Sequence, residues 1–193
     1  MTSTDDVKKL RDATGISVMQ CKSALEEAEG DYDKALLILQ KKGSALAAKK
    51  SDRELGAGAV SAYIHSTKEV GSMVVLHSET DFVSKNEEFV ALAYDIAMHI
   101  AATNPQYIKR EDIDETKLAE IRGLFAKEVA DKPDDLKEKI LEGKVDAYLK
   151  NIVLLEQNFI KDQEKTIKTL IDAATHKFGE RIEVGKFARY STR

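Results

Sequence analysis

Apolar positions recur at helical spacing through the first part of the chain, and each run is punctuated at both ends. Val7 and Leu10 lie three apart on a helix that Gly15 ends. Ser17 then stands as an N-cap with Gln20 three residues on, the spacing of a capping box. Cys21, Ala24, Leu25 and Ala28 continue one apolar face as far as Gly30. Asp31 caps a third helix, which Gly43 closes after Lys41 and Lys42, where cations suit the helix dipole. Three short helices over residues 1–43 predict a mini-domain near the lower size limit for independent folding. Residues 44–56, SALAAKKSDRELG, are polar, basic at the middle and weakly periodic, which predicts a partly helical linker.

The pattern then switches from helical to alternating. In GAVSAYIH, Val60, Ala62 and Ile64 fall on one face and Ser61, Tyr63 and His65 on the other, as in a half-buried strand. STKEVG makes a turn, and SMVVLH is a continuous apolar run fit for a buried strand, so the two predict a β-hairpin. After the polar stretch that holds Phe82, Ser84 and Glu87 have capping-box spacing. They open a helix on which Phe89, Leu92, Ala93, Ile96 and Ile100 keep to one side until TNPQY. Helical spacing returns over residues 114–131, over 134–158 as a long helix or helical hairpin, and over 163–178, where Gly179 stops it. RIEVGKFARY alternates Ile182 and Val184, then Phe187, predicting a final strand over 181–190. Helices and an antiparallel sheet in this order predict an α+β core over residues 57–193.

Composition adds limits. With 42% apolar and 33% charged residues, the 193-residue chain is ordinary for a globular protein. Aromatics are only 6% and tryptophan is absent, so the core rests on Leu, Ile, Val and Ala. A net charge of −4 argues against broad nucleic-acid binding, which needs excess Lys and Arg. A single cysteine, Cys21, excludes an internal disulfide and a Cys-based zinc site, and suits a reducing compartment. The polar, acidic N-terminus is unlike a signal peptide, and no apolar run approaches the ~20 residues of a membrane helix. These features predict a cytoplasmic protein.

Bond-making chemistry has no constellation to rest on. Dinucleotide, P-loop and nucleophile-elbow motifs are absent from the sequence. His65, His77, His99 and His176 are scattered without metal-ligand spacing. No enzyme activity, metal or cofactor is expected, which leaves binding. Phe82 then has two readings. Its ring packs back on Phe89 or Leu92 as a variant of the hydrophobic staple, which spacing favours, or it protrudes as a wedge.

The residues around Phe82 carry a resemblance. TDFV, Thr80 to Val83, between an apolar strand and SKNEEF, resembles the signature of the elongation factor Ts family, the guanine-nucleotide exchange factors of elongation factor Tu. LRDATGISVMQCKSALEEAEGDYDKALLILQKKG is similar to that family's N-terminal three-helix, UBA-like module, and SAYIH to its core hairpin. DIAMHIAATNPQYI and LLEQNFIKDQEKTI are similar to two further blocks, and GERIEVGKFARY to the closing strand. The matches run in family order from about Val7 to Tyr190, as in the short form with one core module.

The resemblance implies that Asp81 and Phe82 push into the nucleotide domain of elongation factor Tu near its Mg²⁺ site, with Thr80 and Val83 holding the loop. It matches Arg11 and Met19 to positions where the module docks, although a solvated face for Arg11 and core packing for Met19 stay open. It matches His65 to a histidine that faces the partner's phosphate-binding loop. Hairpin geometry puts His65 and Asp81 at opposite ends, roughly 25 Å apart at ~3.3 Å per residue. The expectation is therefore a homodimer in which one subunit offers Asp81 and Phe82 and the other His65, with the final strand as the candidate edge. Neither nucleic acid nor membrane is an expected partner. An interaction adaptor using the helical module is the alternative, and the TDFV loop and the order of the blocks weigh against it.

Overall fold

Local capping chemistry starts each of the first helices in a computed structural model that describes residues 3–130 and 133–192. Helix α1 (Thr4–Thr14) begins where the Ser3 hydroxyl accepts the Asp6 N–H, and ends on Gly15 with φ at 67°. Helix α2 (Val18–Glu27) is capped by Ser17, whose Oγ accepts the Gln20 N–H. The Gln20 side chain accepts from the Ser17 hydroxyl instead of closing a full capping box on the backbone. Helix α3 (Tyr32–Lys49) starts at Asp31, whose Oδ1 accepts the Lys34 N–H at 3.0 Å. That bond holds the Asp31 carboxyl below the ordinary carboxylate range. Leu10, Cys21, Ala24, Leu25, Ala35 and Leu39 make a separate buried cluster between these helices.

Helix α3 does not stop at Gly43. It runs on to Lys49, so the first part of the expected linker is helical. Gly43 is buried because a later helix, α8 (Ile167–Phe178), lies against it. A Cβ at Gly43 would come within 3.2 Å of the Asp172 carbonyl oxygen and 3.4 Å of the His176 Cβ. This glycine serves close helix packing, not chain termination. Ser44, one residue on, donates to Asp172 Oδ2 at 2.7 Å and fastens the contact.

Strands β1 (Ala57–Ile64), β2 (Val70–Ser78) and β5 (Glu183–Ser191) form an antiparallel sheet in the order β1-β2-β5. Helix α5 (Glu87–Thr103) covers one face. Its Phe89, Ala93, Ile96 and Ile100 meet Val74, Leu76 and Val184, with Ile167 and Ile171 of α8 completing the core. Residues directly opposite in a sheet share a face. Ala59 opposes Leu76 and Ser61 opposes Val74, so the face of β1 that bears Ser61 and Tyr63 follows those buried residues inward. Tyr63 meets Tyr94 of α5 edge-on, with ring centroids 5.8 Å apart. Val60, Ala62 and Ile64 accordingly point away from the core, the reverse of what their apolarity suggests.

Four further expectations are corrected. The cap of α5 is Asn86, whose Oδ1 accepts the Glu88 N–H at 2.9 Å, and Ser84 belongs to a separate turn. Helices α6 (Glu115–Glu128) and α7 (Asp134–Ile152) pack through Ile121, Val145 and Leu149. Helix α6 ends at Glu128 rather than 131, and Asp131 itself lies outside the described residues. Helix α7 ends at Ile152 rather than 158, because the Gln106 and Tyr107 N–H groups take the Ile152 carbonyl and Val153 turns extended. Strands β3 (Asn158–Phe159) and β4 (Asp162–Thr166) then take Asn158 and residues 163–166 out of the expected helices, and Thr166 caps α8. The whole is an α+β arrangement. Among the described residues no helix is long and apolar enough to cross a membrane.

Two histidines lie inside. His99 is fully buried, with Nε2 2.9 Å from Gln157 Oε1, and its burial lowers its pKa from the usual 6.5. Burial also lowers that of His176, and the nearby Lys42 charge acts in the same direction. Both resist protonation when folded, whereas the unfolded chain takes up protons below about pH 6.5. Stability is therefore present above that value and is lost as pH falls beneath it. The urea midpoint is expected to drop between about pH 7 and about pH 5. His99→Gln is expected to make the drop shallower, and an unchanged slope contradicts this assignment.

Candidate functional site

Phe82 is 82% exposed. It sits in α4 (Asp81–Ser84), a helix of only 4 residues, far too short to hold its own shape. The anchors lie around it. Val83 and Ser84 are buried, and Val83 joins the core cluster. The Ser84 hydroxyl donates to the Asp81 carbonyl at 3.2 Å, and the Ser78 hydroxyl to the Thr80 carbonyl at 2.9 Å. Thr80 has the extended backbone of an N-cap, yet its side chain caps nothing. Its hydroxyl donates to Glu180 Oε1 at 2.6 Å and its N–H to Glu180 Oε2 at 3.0 Å.

The neighbouring residue is tied as firmly. Glu79 accepts the Arg181 N–H at 2.6 Å and an Arg53 N–H at 3.0 Å, with the Lys50 ammonium at 3.6 Å. Burial pushes the Glu79 carboxyl up, but the Arg181 N–H and the Arg53 and Lys50 charges outweigh it and leave the group below its usual range. Asp81, by contrast, is exposed, and Lys85 2.6 Å away holds its carboxyl below the ordinary value. The turn is thus pinned from its own strand, from the end of α3 and from the corner between α8 and β5.

The staple expected for Phe82 does not form. Phe89 already packs edge-on to Phe178, with ring centroids 6.3 Å apart. Val83, one residue beyond Phe82, takes the inward position. The ring is left outside.

The other predicted residues lie elsewhere. His65 follows β1, with Nδ1 3.1 Å from Thr67 Oγ1. The register pairs Ile64 with Gly71 and Ala57 with Ser78, so His65 is at the turn end of the hairpin and Asp81 beyond the opposite end. Arg11 is exposed in the last turn of α1, with a guanidinium nitrogen 3.4 Å from Asp12. Met19 and Val18 are exposed at the start of α2, and Leu37 is exposed on α3, so Met19 does not pack between helices. Thr80 to Val83 form one cluster, and His65, Arg11 and Met19 lie outside it. Glu79, Glu180 and Arg181 were not singled out from the sequence. Partners about a hundred residues apart leave no periodic signal.

Among the described residues no group of three His, Cys, Asp or Glu could hold a metal ion. The site presents an aromatic ring, open to solvent, on a braced base. Comparison with known proteins gives the family. A family model described as Elongation factor TS matches residues 46–193. Elongation factor Ts of Thermosipho melanesiensis is 43% identical over 193 residues, covering 99% of this chain and 98% of that protein. The protein of the same name from Thermodesulfovibrio yellowstonii is 48% identical over 185 residues, covering 95% and 92%. That of Thermotoga neapolitana is 43% identical over 188 residues, covering 97% and 95%. The chain belongs to the elongation factor Ts family.

The two central residues of the turn should differ in their effect on folding. Phe82→Ala removes an exposed ring and should change unfolding stability by less than about 0.5 kcal/mol. Val83→Ala removes buried methyl groups and should cost about 1–3 kcal/mol. Urea denaturation of the two variants makes the comparison, and a large loss for Phe82→Ala would place the ring in the core.

Proposed function

We propose that this chain is the guanine-nucleotide exchange factor of elongation factor Tu in translation elongation. The observation that carries the proposal is the exposed Phe82 ring on a turn fixed by core and carboxylate anchors, in a member of the elongation factor Ts family. On this reading Asp81 and Phe82 enter the partner's nucleotide domain near its magnesium site, while Thr80 and Val83 hold the turn. GDP is gripped there by phosphate contacts at a helix N-terminus and by an Mg²⁺ with strict octahedral demands. A shift of about an ångström in a ligand-bearing element spoils both. The chain works by binding alone, without a covalent step or a cofactor, in the cytoplasm, and contacts neither nucleic acid nor membrane.

Magnitudes require more than one contact. Burying a Phe contributes roughly 2–3 kcal/mol. Accelerating release ~10³- to 10⁵-fold takes about 4–7 kcal/mol of differential stabilisation. Residues 1–43, read as a UBA-like module carried on 44–56 beside a core of 57–193, supply a second contact through Arg11 and Met19. The exposure of Met19, Val18 and Leu37 supports this.

A homodimer brings the third contact. One subunit offers Asp81 and Phe82, and the other offers His65, which the hairpin register keeps at a distance in a single chain. The outward face of the sheet supports a second copy as its cover. Ile64 is 59% and Tyr190 78% exposed, and Val60, Ala62, Met73 and Ala188 lie on the same face. Strand β5 is also a sheet edge.

Two measurements test these readings. Release of fluorescent GDP from elongation factor Tu should be fast with the wild type and at least tenfold slower with folded Phe82→Ala, a loss of about 1.4 kcal/mol or more. An unchanged rate removes the wedge. In sedimentation, the wild type should run as a dimer and the double variant Val60→Lys with Ile64→Lys as a monomer. A wild-type monomer with full exchange activity at the same concentration removes the dimer.

A further inference from the structure

The segments 79–80 and 180–181 hold each other reciprocally. Glu79 takes the N–H of Arg181 at 2.6 Å, and Glu180 takes the N–H of Thr80 at 3.0 Å. Glu180 goes further than its counterpart, because its second oxygen also takes the Thr80 hydroxyl at 2.6 Å. Both donors that Thr80 possesses therefore point at one carboxylate. Thr80 is the residue from which the Phe82 turn springs, with φ at −125° and ψ at 159°.

Two features separate this contact from an ordinary stabilising bond. First, it is at the surface: Thr80 is exposed, and water would satisfy its N–H and hydroxyl if Glu180 were absent. Solvated partners make such a bond worth little to overall stability. Second, it acts on an element unable to fix its own conformation, a helix of 4 residues. Fixing the backbone beforehand avoids an ordering cost in the later step, when Phe82 enters a partner already docked. The corner that supplies Glu180 is itself fixed, since Gly179 ends α8 with φ at 69° and Arg181 is bonded on to Arg53 and Glu79.

We infer that Glu180 is a positioning residue for nucleotide exchange: it touches neither the partner nor the nucleotide, but fixes through Thr80 the direction in which Phe82 is offered. The inference rests on the exchange reading above. Its consequence is specific. Loss of Glu180 leaves the docking surfaces in place and blunts only the step that Phe82 drives.

The test measures fluorescent GDP release from elongation factor Tu against concentration of the full chain, for wild type, Glu180→Ala, Glu180→Gln, Phe82→Ala, and the double variant Phe82→Ala with Glu180→Ala. Glu180→Ala should lower the maximal release rate about tenfold while the half-saturating concentration stays within about twofold. Glu180→Gln keeps one acceptor oxygen and should fall between Glu180→Ala and wild type. In the Phe82→Ala background, Glu180→Ala should change nothing further, because its route of action is gone. Should Glu180→Ala fail to fold, Glu180→Gln, alone and with Phe82→Ala, decides by the same two comparisons. Slow Phe82→Ala with full-speed Glu180 variants overturns this inference and leaves the exchange reading standing. Full additivity of the two substitutions, or a rise in half-saturating concentration alone, also overturns it. A Phe82→Ala variant as fast as wild type removes the exchange reading and this inference together.

Discussion

A ring as large as that of Phe82 keeps one direction in water only if something else holds its backbone, and in this protein the holding is done by carboxylates and buried neighbours. Glu180 grips Thr80 before the turn, Val83 and Ser84 are sunk in the core after it, and Glu79 ties the approach to Arg181, Arg53 and Lys50. The antiparallel sheet sets where the turn emerges. Helix α8 sets where Glu180 stands. Helix α3, uninterrupted through Gly43 and packed on α8, brings Lys50 and Arg53 to the same corner. Three distant stretches of chain thus converge on a few residues that could not fix themselves.

On the proposed reading, this rigidity is the means of action. Exchange requires that the factor favour one state of its partner over another, and a tightly bound ligand with equal affinity for both shifts nothing. Docking through the helical module adds affinity without that preference. Asp81 and Phe82 add the preference, since they gain contacts only where the nucleotide site is displaced. Coupling of this kind is reciprocal, so returning nucleotide ejects the factor and one copy can serve many partners. The outward sheet face, with Val60, Ile64, Met73 and Tyr190 exposed, is where the proposed second copy would sit to bring its His65 within reach.

Much of the fold was legible because local chemistry wrote it. Ser17 and Asp31 are caps, Gly15 and Gly179 end helices in the left-handed region, and alternation marked β1 and β5. The misreadings share a cause in long-range packing. Gly43 looked like a terminator but makes room for α8. Alternation split β1 into two faces without saying which is buried, and the register with Val74 and Leu76 turns Val60 and Ile64 out. Residues 163–166 had helical spacing, yet pair as a strand with residues near 158. The site divided in the same way. Its motif residues were visible, and the direction of the Phe82 ring was not, because it depends on Phe178 having already filled the space beside Phe89. Glu180 is a hundred residues from Thr80, and no spacing rule joins them.

The central claim is that an outward aromatic turn couples this chain to its partner's nucleotide. Coupling is measured most directly by calorimetric titration of elongation factor Tu with the wild type and with Phe82→Ala, each with the partner nucleotide-free and GDP-saturated. The account predicts that the wild type binds the nucleotide-free partner far more tightly, by the same factor by which it weakens GDP, and that this factor collapses in Phe82→Ala while affinity for the GDP-saturated partner barely moves. Equal affinities of the wild type for the two partner states, or a factor untouched by losing the ring, would contradict it.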